Sequence, residues 1–184
     1  MKLIYLIGLP GTGKSTVMKA FMERVGEWKQ EKLYELLDAH TNKNLVVLGK
    51  YEEGETFSGT DRLSMAVSPK AIEWVESMAD SGLVVIGEGD RLNNKGFFNS
   101  FDEKVIIHLN VSEEERLRRY KERGSNQSEK FIQTVRTKCR NIIEDYGTKH
   151  TLFGEEKGCI EEFIHDTKED TMKIVDFILD YCQN

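Results

Sequence analysis

Proline is nearly absent, with two residues in a chain of 184. Alongside 39% hydrophobic and 32% charged residues, that scarcity marks a soluble globular chain and argues against a low-complexity one. Cysteine is scarce too. Cys139, Cys159 and Cys182 are odd in number and far apart, which suits reduced thiols in a cytoplasmic setting better than a disulfide scaffold. No cysteine–histidine cluster has metal-ligand spacing, and His40, His108, His150 and His165 read as ordinary polar or half-buried residues. The apolar run at 3–9 is too short to span a membrane and is needed as a first strand, so it reads as neither anchor nor signal peptide. Without repeats, low-complexity stretches or linkers, residues 1–184 are expected to form one domain with no membrane partner.

Glycine is placed with purpose. Gly8-Leu9-Pro10-Gly11-Thr12-Gly13-Lys14-Ser15 matches G-x-x-x-x-G-K-[ST], the phosphate-binding loop. An apolar, partly β-branched run, Leu3 to Ile7, precedes it. Val17, Met18, Phe21, Met22 and Val25 follow at helical spacing. Strand, loop and helix aim backbone N–H groups and a helix dipole at a phosphate chain. Gly8, Gly11, Thr12, Gly13, Lys14, Ser15 and Thr16 are the expected nucleotide-binding set. Lys14 would reach the β- and γ-phosphates, and the Ser15 hydroxyl would ligate Mg²⁺. The dinucleotide pattern G-x-G-x-x-G fits less well, because the glycines are spaced G-x-x-G-x-G.

The pattern predicts strands at 2–7, 32–39, 45–50, 83–87, 104–109 and 160–165, and helices at 14–26, 69–80, 112–123, 128–146 and 168–181. Leu33, Leu36 and Leu37 would also suit a helix face. Ser68-Pro69 is expected to open a helix, Ser112 to Glu115 to form a capping box, and Asp166 or Thr167 to cap the last helix. Thr41-Asn42-Lys43-Asn44 predicts a hairpin, hence an antiparallel strand on the sheet. Alternating strands and helices imply an α/β fold with a mainly parallel sheet covered on both faces. Its ligand would sit beyond the carboxyl ends of the strands.

Three further segments bear candidate chemistry. The apolar run Leu83 to Ile86 ends in Gly87-Glu88-Gly89-Asp90-Arg91. Glu88 and Asp90 lie at alternate positions, so an extended backbone would present both to bound phosphates or Mg²⁺. The long connection from Gly49 to Ser64 mixes glycine, aromatic and charged residues. In it, Asp61 could orient or deprotonate an acceptor hydroxyl, and Arg62 could pair with an acidic ligand or with Asp61. Tyr51 and Phe57 could stack on a ring, and Asp90 and Arg91 join this acceptor set. From Arg116 to Arg140, nine basic residues are opposed only by Glu122 and Glu129. Arg116, Arg119 and Arg123 share a helix face, and arginine over a triphosphate stabilises transferring charge. The plain alternatives are surface ion pairs, half-buried aromatics and a solvated cationic face.

In order along nearly the whole chain, Gly8–Ser15, the acidic strand end at Glu88 and the arginine-rich helices at 112–146 resemble the P-loop kinases of the nucleoside/nucleotide-kinase type. The resemblance implies a three-layer P-loop NTPase fold with core strand order 2-3-1-4-5, MgATP as donor and a helical lid at about 112–146. Lys14 and Ser15 match the family's motif directly and Arg119 and Arg123 match its lid by location; with the residues read above, the catalytic candidates are Lys14, Asp61, Glu88, Arg119 and Arg123, and the Mg²⁺ candidates Ser15, Glu88 and Asp90. Gly-Glu-Gly-Asp-Arg stands where adenylate kinases carry Asp-Gly-x-Pro-Arg, and no Asn-Lys-x-Asp motif supports a GTPase. A narrower resemblance rests on Leu48-Gly49-Lys50-Tyr51 and Gly59-Thr60-Asp61-Arg62-Leu63, which look similar to phage kinases acting on 5-hydroxymethyluracil in DNA. It implies a DNA partner and a host-cytoplasmic location, although an isoelectric point near 5.4 lacks the usual signature of nucleic-acid binding. The expected activity is phosphoryl transfer from ATP to a nucleotide-type hydroxyl. The alternatives are a kinase of a free nucleoside, nucleotide or small metabolite, and an ATP-hydrolysing switch.

Overall fold

Leu3, Ile4, Tyr5, Leu6 and Ile7 are all buried, so strand β1 (Lys2–Ile7) can only lie mid-sheet with both faces covered. The computed structural model describes residues 1–52, 58–122, 124, 127–151 and 154–183. After β1 come α1 (Lys14–Val25), β2 (Lys29–Tyr34), β3 (Leu37–Asn42), β4 (Leu45–Leu48), α2 (Val67–Ser77), β5 (Val84–Glu88) and α3 (Lys95–Asn99). Then follow β6 (Glu103–Asn110), α4 (Glu113–Glu122), α5 (Glu129–Tyr146), the small hairpin β7 (Lys149–Thr151) and β8 (Gly154–Glu156), β9 (Ile160–Ile164) and α6 (Lys168–Gln183).

Seven strands form one sheet in the order β2-β3-β4-β5-β1-β6-β9. The pairs from β4 to β9 are parallel, and β2 and β3 add antiparallel edge strands. Numbered among themselves, the five parallel strands run 2-3-1-4-5, the expected core order. Side-chain alternation along β1 sorts the core into two layers. Leu3, Tyr5 and Ile7 pack with Val67, Ala71 and Trp74 of α2, Phe97 and Phe98 of α3, and Val135 and Cys139 of α5. Ile4 and Leu6 pack with Val17 and Phe21 of α1 and Ile174 and Ile178 of α6. These are the three layers of an α/β P-loop fold.

The structure corrects several local expectations. The strand at 32–39 is two strands, β2 and β3, because the chain reverses at Glu35-Leu36, where Leu36 takes φ 62°. Strand β4 ends at Leu48 rather than 50, because Gly49 at φ 99° turns the chain. The second helix starts at Val67, two residues early. Pro69 is tolerated because the first turn leaves its N–H positions without intrahelical acceptors. The Ser68 hydroxyl therefore does not cap; it accepts a hydrogen bond from the Asn94 side chain at 3.1 Å. The expected box at Ser112 is half formed. Ser112 Oγ accepts from the Glu115 N–H, while the Glu115 carboxylate is taken by Arg118 and Arg119. Thr167 and Asp170 form the full reciprocal cap of α6. The short helix α3 and the β7–β8 hairpin had no periodic signature to find.

Candidate active site

The loop between β1 and α1 has Gly8, Gly11 and Gly13 at φ 147°, 88° and 88°. Thr12, almost wholly buried, ties it by donating from N–H and Oγ to the Leu9 carbonyl at 3.2 and 2.9 Å. Lys14 Nζ curls over the loop and donates to the Gly8 and Leu9 carbonyls at 2.9 and 3.2 Å. Helix α1 begins at Lys14 with no side-chain cap and no acidic residue in its first turn. Its first-turn N–H groups, together with the Lys14 ammonium, form a cradle for an anion.

Two neighbouring segments bring carboxylates to the same cleft, which is lined by Gly8, Lys14, Ser15, Asp61, Glu88 and Asp90 among others. Glu88 ends β5, is nearly inaccessible to solvent, and accepts a hydrogen bond from Ser15 Oγ at 3.0 Å. Asp61 sits in a single 3₁₀ turn, Thr60–Arg62. Thr60 Oγ donates to the Glu88 carbonyl at 2.9 Å, and Tyr5 Oη donates to the Gly89 carbonyl at 2.9 Å. Asp61 Oδ1 accepts the Asp90 N–H at 2.6 Å. Gly59 at φ 66° is part of this arrangement, because a Cβ there would drive into the Glu88 carboxylate. Glu88 and Asp90 share this cleft, but not by strand alternation. Gly89 at φ 108° breaks the extended backbone, and Asp90 faces Lys138 of α5 at 2.8 Å.

The mouth of the cleft carries residues that the sequence did not single out. Tyr120 Oη donates to Gln127 Oε1 at 2.6 Å, joining the end of α4 to the entry of α5. Phe131, on α5, is partly exposed and lines the cleft. Asn93 also lines it, is 4% exposed, and its Oδ1 is buried with no hydrogen-bond partner among the described residues. A buried, unpaired carboxamide oxygen costs about 1–3 kcal/mol, so it is retained where something else accounts for it. Only a folded structure reveals that pairing deficit.

A second cleft opens on the other side of Gly13 and is lined by Thr16, Arg119, His165, Asp166 and Thr167 among others. Arg119 belongs here and not with Lys14 and Glu88. Its Nε donates to Glu115 at 2.7 Å, and its Nη2 donates to the carbonyls of His165 and Asp166 at 2.9 and 3.1 Å. Arg118 and Arg119 hold the Glu115 carboxyl down at about 2. The basic segment is therefore partly matched by acids: Arg116 with Glu113, Arg118 and Arg119 with Glu115, Lys138 with Asp90, Arg140 with Glu144.

Other candidates lie elsewhere. Tyr51 packs beside the His40 ring at 5.9 Å and against the α1–α6 layer, outside the lining of the first cleft. Burial and then the nearby Glu88 carboxylate push its phenol well above the usual range. Arg62 pairs with Glu52 at 3.3 Å and not with Asp61. Arg91 lines neither cleft. Phe57 and Arg123 lie outside the described residues.

Loop, helix start and strand-end carboxylate define the class, a nucleotide-binding P-loop protein. The chain belongs to the P-loop Nucleotide Kinase3 family, whose model matches residues 1–161. Phosphotransferase is the enzyme class that this membership supports. Among solved structures it is similar to a sugar kinase from Janibacter sp. HTCC2649, at TM-score 0.50 and 12% identity, covering 100% of this chain and 95% of that one. It is also similar to deoxyadenosine kinase from M. mycoides with bound dATP, at TM-score 0.48 and 13% identity, covering 100% of both chains. At such identity the first of these likenesses speaks to the fold alone. No curated protein matches the sequence.

Proposed function

We propose that the protein transfers the γ-phosphoryl group of ATP, with Mg²⁺, to a hydroxyl of a nucleotide-type acceptor. One observation carries this: Lys14 and Ser15 of α1, Glu88 of β5 and Asp61 of the 3₁₀ turn, from three separate segments, line a single cleft at the start of α1. The donor set fits MgATP. Loop N–H groups and Lys14 suit the phosphates, and the paired Ser15 hydroxyl and Glu88 carboxylate are hard oxygen donors. No group of three or more His, Cys, Asp or Glu among the described residues could hold a metal, which accords with an ion carried mainly by phosphates and water. Bound there, Mg²⁺ would neutralise charge on the phosphates.

The protein's own groups divide the remaining work. Lys14 exchanges its present carbonyl partners for phosphate oxygens and meets the charge of the transferring group. Glu88 orients Ser15. Asp61, held by the Asp90 N–H, keeps a second carboxylate oxygen for the acceptor hydroxyl and takes its proton as the acceptor oxygen bonds to the γ-phosphorus and the β–γ bridging oxygen leaves with ADP. Asn93, Phe131 and the Tyr120–Gln127 pair offer amide and aromatic contacts to the body of the acceptor. Helices α4 and α5 act as the lid that shuts out water. Arg119, in the second cleft, serves the nucleoside side of ATP.

The test is a transfer assay with γ-labelled ATP against duplex DNA containing 5-hydroxymethyluracil, free nucleosides and nucleotides, and sugars. The first of these is the narrower acceptor that the sequence resemblance implies. Label on an acceptor supports the proposal, and the acceptor labelled identifies its class. Label appearing only as free phosphate would replace the kinase with an ATP-hydrolysing switch.

A further inference from the structure

His165 closes β9 and is 3% exposed, with no obvious reason in sequence for a buried imidazole at the edge of a helix. Its ring makes two short contacts. Nδ1 lies 2.8 Å from the carbonyl oxygen of Thr12, inside the phosphate loop, and Nε2 lies 2.7 Å from Thr171 Oγ, in the first turn of α6. A carbonyl oxygen only accepts, so Nδ1 must carry the hydrogen. In the neutral ring Nε2 accepts the hydrogen bond from the Thr171 hydroxyl, whose other acceptor, the Thr167 carbonyl, lies farther off at 3.4 Å. The resulting imidazole is neutral with one tautomer, set from both ends. Arg119 Nη1, 3.4 Å from Nδ1, opposes a positive ring; Asp166 and Asp170 on the same corner favour one. Burial decides between them and lowers the His165 pKa.

The consequence lies in the peptide that the ring holds. A trans peptide points its N–H opposite its C=O. Drawing the Thr12 carbonyl towards His165 turns the Gly13 N–H the other way, into the phosphate cradle. The ring also packs onto Gly13, where a Cβ would collide with it. The corner itself is anchored: the His165 N–H donates to the Asn110 carbonyl at 2.8 Å, and Arg119 clamps the His165 and Asp166 carbonyls.

We infer that His165 is a positioning residue for ATP: it sets the orientation of the Thr12–Gly13 peptide and thereby presents a phosphate donor. The inference rests on the proposed ATP site. It links that site to the β9–α6 corner, 150 residues away in sequence and part of the wall of the second cleft.

The test uses carboxamides as probes of ring position. The amide nitrogen of asparagine falls near the place of Nδ1, and that of glutamine near Nε2. Unmodified protein, His165→Asn, His165→Gln and His165→Ala are titrated with MgATP by calorimetry, and KM and kcat are measured for both substrates. His165→Ala and His165→Gln are expected to weaken ATP binding about tenfold, the order seen when an outer-shell partner is lost. Acceptor KM should stay within about twofold. His165→Asn is expected to recover most of the affinity. Equal rescue by glutamine and asparagine, or ATP binding by His165→Ala as tight as that of unmodified protein, overturns the inference and leaves the kinase proposal standing. Failure of the unmodified protein to bind MgATP overturns both. If His165→Ala does not fold, the asparagine–glutamine contrast decides.

Discussion

Lys14 and Asp61 carry much of the proposed chemistry, and each depends on a different kind of neighbour. Lys14 already makes two charge-assisted bonds to loop carbonyls, so it is a pre-placed cation. Lys14→Ala is expected to lower kcat/KM by about 10³-fold in the labelled-ATP assay, the size seen when one preorganised donor is removed. Asp61 has one oxygen engaged by the Asp90 N–H, which fixes the direction of its carboxylate. Asp61→Asn keeps that hydrogen bond and removes the base. Turnover should fall by about 10²–10⁴ with ATP affinity unchanged, and an unaltered kcat would remove Asp61 from the mechanism. The loop residues were legible from the chain because their spacing alone demands a tight, donor-rich turn. Asn93 and His165 were not legible. An isolated asparagine or histidine acquires meaning only from what surrounds it, and both are defined by partners contributed, or withheld, by distant segments.

Elements position these residues through their ends. The β5 terminus, the 3₁₀ turn at Thr60–Arg62 and β1 are joined by Tyr5 and Thr60, so Glu88 and Asp61 face one cleft. Gly59→Ala is expected to force the turn away from Glu88. It should reduce kcat and destabilise by about 1–3 kcal/mol, read by thermal melting and turnover together. Helix α5 begins where Ser128 Oγ accepts the Phe131 N–H at 3.2 Å. Ser128→Ala should cost about 1 kcal/mol in denaturant unfolding without changing ATP affinity. Most helices and parallel strands were legible because their apolar periods are long. The β2–β3 hairpin was not, since a single left-handed residue, Leu36, reverses a run whose leucines suit either strand or helix.

At the scale of the molecule, a seven-stranded sheet brings residues 2–7 and 160–164 together around β6 and lets α6 support the phosphate loop. This joins stability to pH at two points. Burial favours neutral His165, so its stabilisation is complete above its ordinary value of 6.5 and is lost as pH falls below it. Glu115 is held at about 2 by its arginines, so its share is complete above 4.5 and disappears as pH approaches 2. Melting temperature is expected to decline in two stages on acidification. His165→Asn should weaken the earlier stage, to which His40, also lowered by burial, contributes as well, and leave the later one; an earlier stage unchanged by the substitution would contradict the buried neutral ring.

The five-strand core order was implied by the family resemblance, whereas the chain alone determined the phosphate loop, the alternation of strand and helix periods, and the carboxylate at the end of the β5 run. Each follows from local spacing or period, which short-range sterics and burial enforce without reference to remote residues. Tertiary structure decided the partners. It placed Arg119 in the second cleft, paired Asp90 with Lys138, moved Tyr51 out of the first cleft and set His165 against Thr12. Those outcomes depend on hydrogen-bond geometry and desolvation between segments far apart in the chain, and such contacts exist only once the sheet has brought them together.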